Sequence, residues 1–152
     1  MPTQYHINRD DEFVALRLKG DVDLVATYEL CQSLLADPEF DPHLPQLVDV
    51  REVRMQLTHG AMRPFLGYVR ATYRPRVEAR IAVVLDGTMD DDFCAGVFRF
   101  VCNLPDTEVF DDYALAIKWL LKSRWINRTN ASAQPENSAR NQADEEPKQI
   151  RA

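Results

Sequence analysis

Five aspartates could meet at one edge of a folded sheet. Asp49 and Asp86 each close an apolar, strand-like run, and Asp90, Asp91 and Asp92 follow the second. Clustered carboxylates of this kind suit a hard divalent cation such as magnesium. The structural alternative is an Asp49–arginine pair, a turn closed by Asp86, and a helix start at the aspartate run, where negative charge complements the helix dipole. That alternative weighs more, and phosphotransfer at such a site would also want a lysine after a later strand, where none stands. His6, His43 and His59 fall on separate elements without paired spacing. No glycine-rich phosphate loop, His-Glu-x-x-His or nucleophile elbow is present. Cys31, Cys94 and Cys102 lack metal-ligand spacing and sit in apolar settings, so reduced, buried thiols are expected. The sequence therefore assigns no catalytic residue, metal or cofactor.

The arginines are more informative. Arg51, Arg54, Arg63, Arg70, Arg74, Arg76 and Arg80 are opposed locally by Glu52 and Glu78 alone, in a chain whose net charge is −6. Guanidinium groups make bidentate contacts with carboxylates and phosphates. A solvated helix face paired with distant aspartates accounts for them, and docking of an acidic partner or anionic head groups is the functional counterpart. On that counterpart Asp49, Arg51, Arg54, Thr58, Arg63 and Arg70 form the interaction surface. The acidic balance argues against general nucleic-acid binding, which needs a basic footprint.

These residues must be positioned by elements that the patterning makes visible. Gln4 to Asn8 and Phe13 to Gly20 alternate as strands, and the polar link Arg9 to Glu12 has hairpin length. Gly20 is expected to end the second strand. A helix from about Leu24 carries Leu24, Tyr28, Cys31 and Leu35, with Val25 and Leu34 widening the stripe, and Asp37-Pro38 stops it. Phe40 is expected to fold back on the core. A buried strand over Gln46 to Val50 should leave the sheet at Asp49–Arg51 and loop to a second helix from Thr58 to about Tyr73, with Thr58 as N-cap. Ala79 to Leu85 is the most continuous apolar run and reads as a central strand covered on both faces.

The third helix, about Asp91 to Asn103, is apolar nearly all round. A helix of that kind is buried on all sides. Its surplus apolar residues imply a neighbouring helix, a second subunit in a homodimer, or an apolar small-molecule pocket between helices two and three. The pocket residues would be Met62, Phe65, Phe93, Val97, Phe98 and Phe100. Thr107 to Phe110 reads as a last strand. A final helix runs from Tyr113 to about Arg124, with Ala114, Ile117, Leu120 and Leu121 inward. The order β-β-α-β-α-β-α-β-α implies an α/β domain over residues 1–125, built on a mixed, mostly parallel five-stranded sheet with right-handed crossovers. Residues 126–152 have too little apolar surface to fold and are expected to form a disordered tail. The length of 152 residues with 45% hydrophobic and 28% charged residues fits one such domain. The chain start shows no signal-peptide pattern and no apolar run reaches membrane-spanning length, so the expected location is cytoplasmic.

This order, the central Leu47-Val48-Asp49-Val50-Arg51, and the ending Val109-Phe110-Asp111-Asp112-Tyr113-Ala114-Leu115-Ala116-Ile117-Lys118-Trp119-Leu120 resemble the SpoIIAA-like family, which is related to STAS domains. The resemblance spans about Gln4 to Leu121. It implies a domain without catalytic machinery that regulates a protein partner. It also implies a phosphoacceptor at the start of the second helix, a position held here by Thr58 within Leu57-Thr58-His59-Gly60, with no acid before it. A plain N-cap role for Thr58 stands beside that implication.

Overall fold

The structure is a computed structural model and describes residues 3–54, 59–87 and 89–122. The chain divides into two units, Met1–Leu121 and Lys122–Ala152. The described residues lie in the first unit, save Lys122. The expected tail, residues 126–152, lies outside them.

Five strands form one sheet in the order β1-β2-β3-β4-β5: Thr3–Asn8, Phe13–Asp21, Gln46–Arg54, Ile81–Val84 and Thr107–Phe110. β1 pairs antiparallel with β2, and every later pair is parallel. The sheet grows in one direction, so right-handed crossovers place every intervening helix on the same face. These are α1 (Leu24–Ala36), α2 (His59–Tyr68) and α3 (Asp91–Val101). The last helix, α4, covers residues 113–122 and follows the edge strand without a further crossover.

Two separate apolar clusters record the two faces. Val14, Leu16, Leu18, Val50, Val53, Ile81 and Val83 pack with Leu30, Leu34, Val69, Phe93 and Val97 from the three crossovers. Phe13, Leu47, Ala82 and Val84 meet Ala116 and Leu120 of α4. β4 is buried at all four residues, as a central strand covered on both faces must be.

The helix ends follow from short polar side chains. Asp23 Oδ1 accepts from the Ala26 N–H at 2.8 Å and Asp90 Oδ1 from the Asp92 N–H at 2.7 Å, each capping a helix start. Asp37, extended at ψ 129°, ends α1 before Pro38. Its carboxylate also accepts from the Tyr5 hydroxyl at 2.7 Å, tying α1 to β1. Phe40 packs on the main cluster, as expected.

Several expectations are corrected. Gly20 does not end β2; at φ +73° it sits inside the strand, which runs to Asp21. β3 does not leave the sheet at Asp49–Arg51. After a register shift opposite Arg17–Lys19 it pairs on, with Glu52, Val53 and Arg54 opposite Lys19, Gly20 and Asp21. In α1, Leu30 joins the buried stripe, while Val25 is 65% exposed and Tyr28 lies at the surface. α3 is not buried all round: Phe93, Gly96, Val97 and Val101 face in and Phe98 is 53% exposed. In α4, Leu120 is buried and Ile117 partly buried, as expected, but Ala116 joins them and Ala114 is exposed. Cys31 is buried, Cys94 is partly buried and Cys102 is exposed, so the three thiols do not share one setting.

Candidate functional site: an apolar cavity under three helices

Residues that occupy one register row of a sheet point to one face. Val14, Gln46, Ile81 and Thr107 form such a row, and Leu16, Val48, Val83 and Val109 form the next row on that face. Together they floor the space beneath α1, α2 and α3. A cavity of about 150 Å³ lies there. Leu16, Val48, Val50, Ile81 and Val83 form its floor, and Leu24, Leu30 and Cys31 come from α1. Met62 and Phe65 come from α2, and Phe93, Val97 and Phe100 from α3. The Phe65 and Phe100 rings stack at 5.4 Å between centroids and bridge the two helices. Five of the six residues expected around a pocket therefore line it. Phe98 does not; it lies on the outer face of α3.

The hydroxyls lining the cavity are satisfied by protein. Thr27 Oγ1 donates to Asp23 O at 3.0 Å and Thr107 Oγ1 to Pro105 O at 2.9 Å. Tyr73 donates to Oε1 of the fully buried Gln46. Gln46 Nε2 is the buried side-chain atom left without a partner among the described residues. Burial pushes the Cys31 thiol up to about 12, with a backbone hydrogen bond opposing it, so the cavity wall carries a neutral thiol.

α2 does not continue as an α-helix to Tyr73. Val69–Tyr73 is a π-helical turn, closed by the Arg74 N–H bonding Val69 O, and Arg74–Arg76 is a 3₁₀ turn. π-turns recur at functional sites. This one turns Val69 and Tyr73 into the cavity and leads into Arg74, which is itself buried.

The expected interaction surface is not assembled at one place. Arg17 and Asp49 share a register row with Val84 and Phe110, which places them on the α4 face. Arg51 Nε and Nη2 each reach one Asp49 oxygen at 2.9 Å, the Arg51 N–H adds a third bond at 3.1 Å, and the guanidinium lies 4.9 Å from the Tyr113 ring centroid. This bidentate pair ties the sheet to the first turn of α4, which is the structural role weighed for Asp49 above. Burial pushes the Asp49 carboxyl up, but the hydrogen bonds and charge of Arg51, with the charge of Arg17, outweigh burial and hold it below the ordinary carboxylate value. Arg54 lies at the strand end, 3.6 Å from Asp21. Arg63 and Arg70 are exposed and belong to the crossover on the opposite side of the sheet. Thr58 lies outside the described residues.

Among the described residues no three His, Cys, Asp or Glu side chains gather as a metal site. Asp90 caps α3, and His43 Nδ1 sits 3.1 Å from Glu78 Oε2. Among the described residues no helix is long and apolar enough to cross a membrane.

The strand order, the single antiparallel edge and the helix layers define a SpoIIAA-like α/β fold. A crystal structure of an uncharacterised protein of the DUF3478 family from Shewanella loihica PV-4, with a SpoIIAA-like fold, is similar over 78% of this chain and 91% of that one, at a TM-score of 0.50 and 20% identity. That likeness shows the fold alone. No family model matches the chain, and no curated protein matches it in sequence.

Proposed function

We propose that this chain is a non-enzymatic, cytoplasmic binding module that holds a small apolar molecule beneath α1, α2 and α3. The observation that carries the reading is the 150 Å³ cavity with its almost wholly apolar lining. Apolar cavities of about this size stay dry and accept benzene-sized ligands. Closed and left empty, a volume of 150 Å³ would cost a fold at most about 3 to 4 kcal/mol at ~24 cal/mol per Å³. That is a large share of the ~5–15 kcal/mol that holds a domain together. A ligand in the cavity recovers much of it.

Native mass spectrometry of freshly purified protein tests this. A stoichiometric apolar adduct, lost on denaturation, supports the reading. A bare protein that also shows no methyl shifts at Val50, Ile81 and Val97 when titrated with benzene contradicts it.

A second reading, regulation of a protein partner through α2 and the π-turn, is favoured by Arg63 and Arg70. Both are exposed and seven residues apart, and among the described residues neither has a carboxylate partner. An acidic partner surface would complement them. The phosphoacceptor role implied for Thr58 belongs to this reading. Incubating wild type and Thr58→Ala with the host's kinases tests it, and equal labelling of the two proteins counts against the switch.

A further inference from the structure

Behind the π-turn, at the amino-terminal edge of β4 and β5, lies a second depression of about 460 Å³, bordered by Arg70, Arg74, Glu78, Asn103, Leu104 and Asp106. Arg74 is 8% exposed and, among the described residues, has no carboxylate within ion-pair distance. Its Nε donates to Pro105 O at 2.9 Å and its Nη1 to Val77 O. These carbonyls fix the guanidinium plane and leave Nη2 without an acceptor among the described residues. Nη2 is not among the buried atoms lacking a partner, so it keeps some exposure on a residue that borders the depression. Buried charges are ordinarily paired, because an isolated one loses its hydration. Arg70, four residues earlier, borders the same space, and its guanidinium also has no acidic partner among the described residues. Of the two acids present, Glu78 is engaged by His43. Asp106 acts on Arg74 through its charge alone, and burial still holds the Arg74 pKa down.

We propose that this cleft is an oxyanion site in which Arg74 and Arg70 hold a carboxylate or phosphate group. Arg74 supplies an oriented donor and Arg70 a second, exposed charge, while the Asn103 amide, which donates to Arg99 O at 2.8 Å, stands at the rim. Asp106 opposes the anion and sets the affinity low. The site is separate from the apolar cavity but shares one wall with it, Leu104, which lines both. The anion is therefore either a free solute or the head of a molecule whose apolar part enters the cavity.

The test is an NMR titration of the full chain with inorganic phosphate, acetate and hexanoate, following Arg side-chain Nε–H signals and the Val77, Asn103 and Asp106 amides. Phosphate and acetate are expected to shift these signals. Arg70→Gln, at an exposed position, is expected to weaken binding about tenfold, the loss of one charge-assisted contact. Asp106→Asn suits the positive φ of 48° at that residue and removes the repelling charge, so it is expected to tighten binding severalfold. Hexanoate that binds better than acetate, and loses the advantage when Val97→Phe fills the cavity, identifies an amphiphile. Equal affinities identify a free anion. Absence of shifts at these groups, or identical affinities for wild type, Arg70→Gln and Asp106→Asn, overturns the proposal and leaves Arg74 as a latch between two turns.

Discussion

Asp49 is held by two side-chain bonds and one backbone bond from the same arginine, with its side chain 15% exposed and that of Arg51 40% exposed. Solvent screening of the exposed guanidinium limits the pair to about 1 kcal/mol. Because the folded-state pKa of Asp49 lies below its ordinary 3.8, this contribution is complete above that value and is lost as pH falls through the folded value. Asp49→Asn should therefore destabilise urea unfolding by about 1 kcal/mol near neutrality, and the difference from wild type should shrink steadily below the ordinary carboxylate range. A difference that is constant across that range would mean the pair contributes packing, not charge. The cysteines give a second residue-scale outcome. Cys102 is exposed, whereas burial holds the Cys31 thiol near 12. A thiol reagent should label Cys102 first in the native protein and reach Cys31 only on unfolding, as peptide mapping after a timed quench would show.

At the scale of the element, Gln46 and Tyr73 join β3 to the π-turn. Either Tyr73→Phe or Gln46→Leu strands a buried polar group, at about 1–3 kcal/mol each. The double variant removes both groups and should cost clearly less than the sum of the singles in a double-mutant cycle; strict additivity would deny the coupling. Elements were legible where one periodicity ruled them. Ile81–Val84 is four apolar residues in a row and was placed as a central strand. β3 beyond Val50 was not legible, because Arg51, Glu52 and Arg54 look like loop residues until Lys19 and Asp21 are seen across from them. α3 carries so many apolar residues that its stripe was hidden. Phe93, Val97 and Val101 recur every four residues, and Phe98 stands one ~100° step off that line. The π-turn had no signature either. Its i→i+5 bonding places Val69, Tyr73 and Arg74 by backbone register, which residue type alone does not encode.

At the scale of the molecule, a sheet that adds strands in one direction stacks three helices on one face and leaves one helix for the other. Ala15, Ala82 and Ala116 put small side chains into the cluster between the sheet and α4. The three-helix side holds the cavity. Spacing on two helices pointed to Met62, Phe65, Phe93, Val97 and Phe100, but the floor and the α1 wall required the fold. Filling the cavity with Val97→Phe should raise stability by about 1 kcal/mol, since part of the empty volume is then packed. The most direct measurement is the thermal midpoint of wild type and Val97→Phe against rising concentrations of a benzene-sized apolar probe. At a hundredfold excess over its dissociation constant, a ligand of the native state adds about 2.7 kcal/mol. The wild-type midpoint should climb with probe concentration while that of Val97→Phe stays flat. Midpoints that both stay flat, or that climb together, would contradict a ligand-binding cavity beneath the three helices.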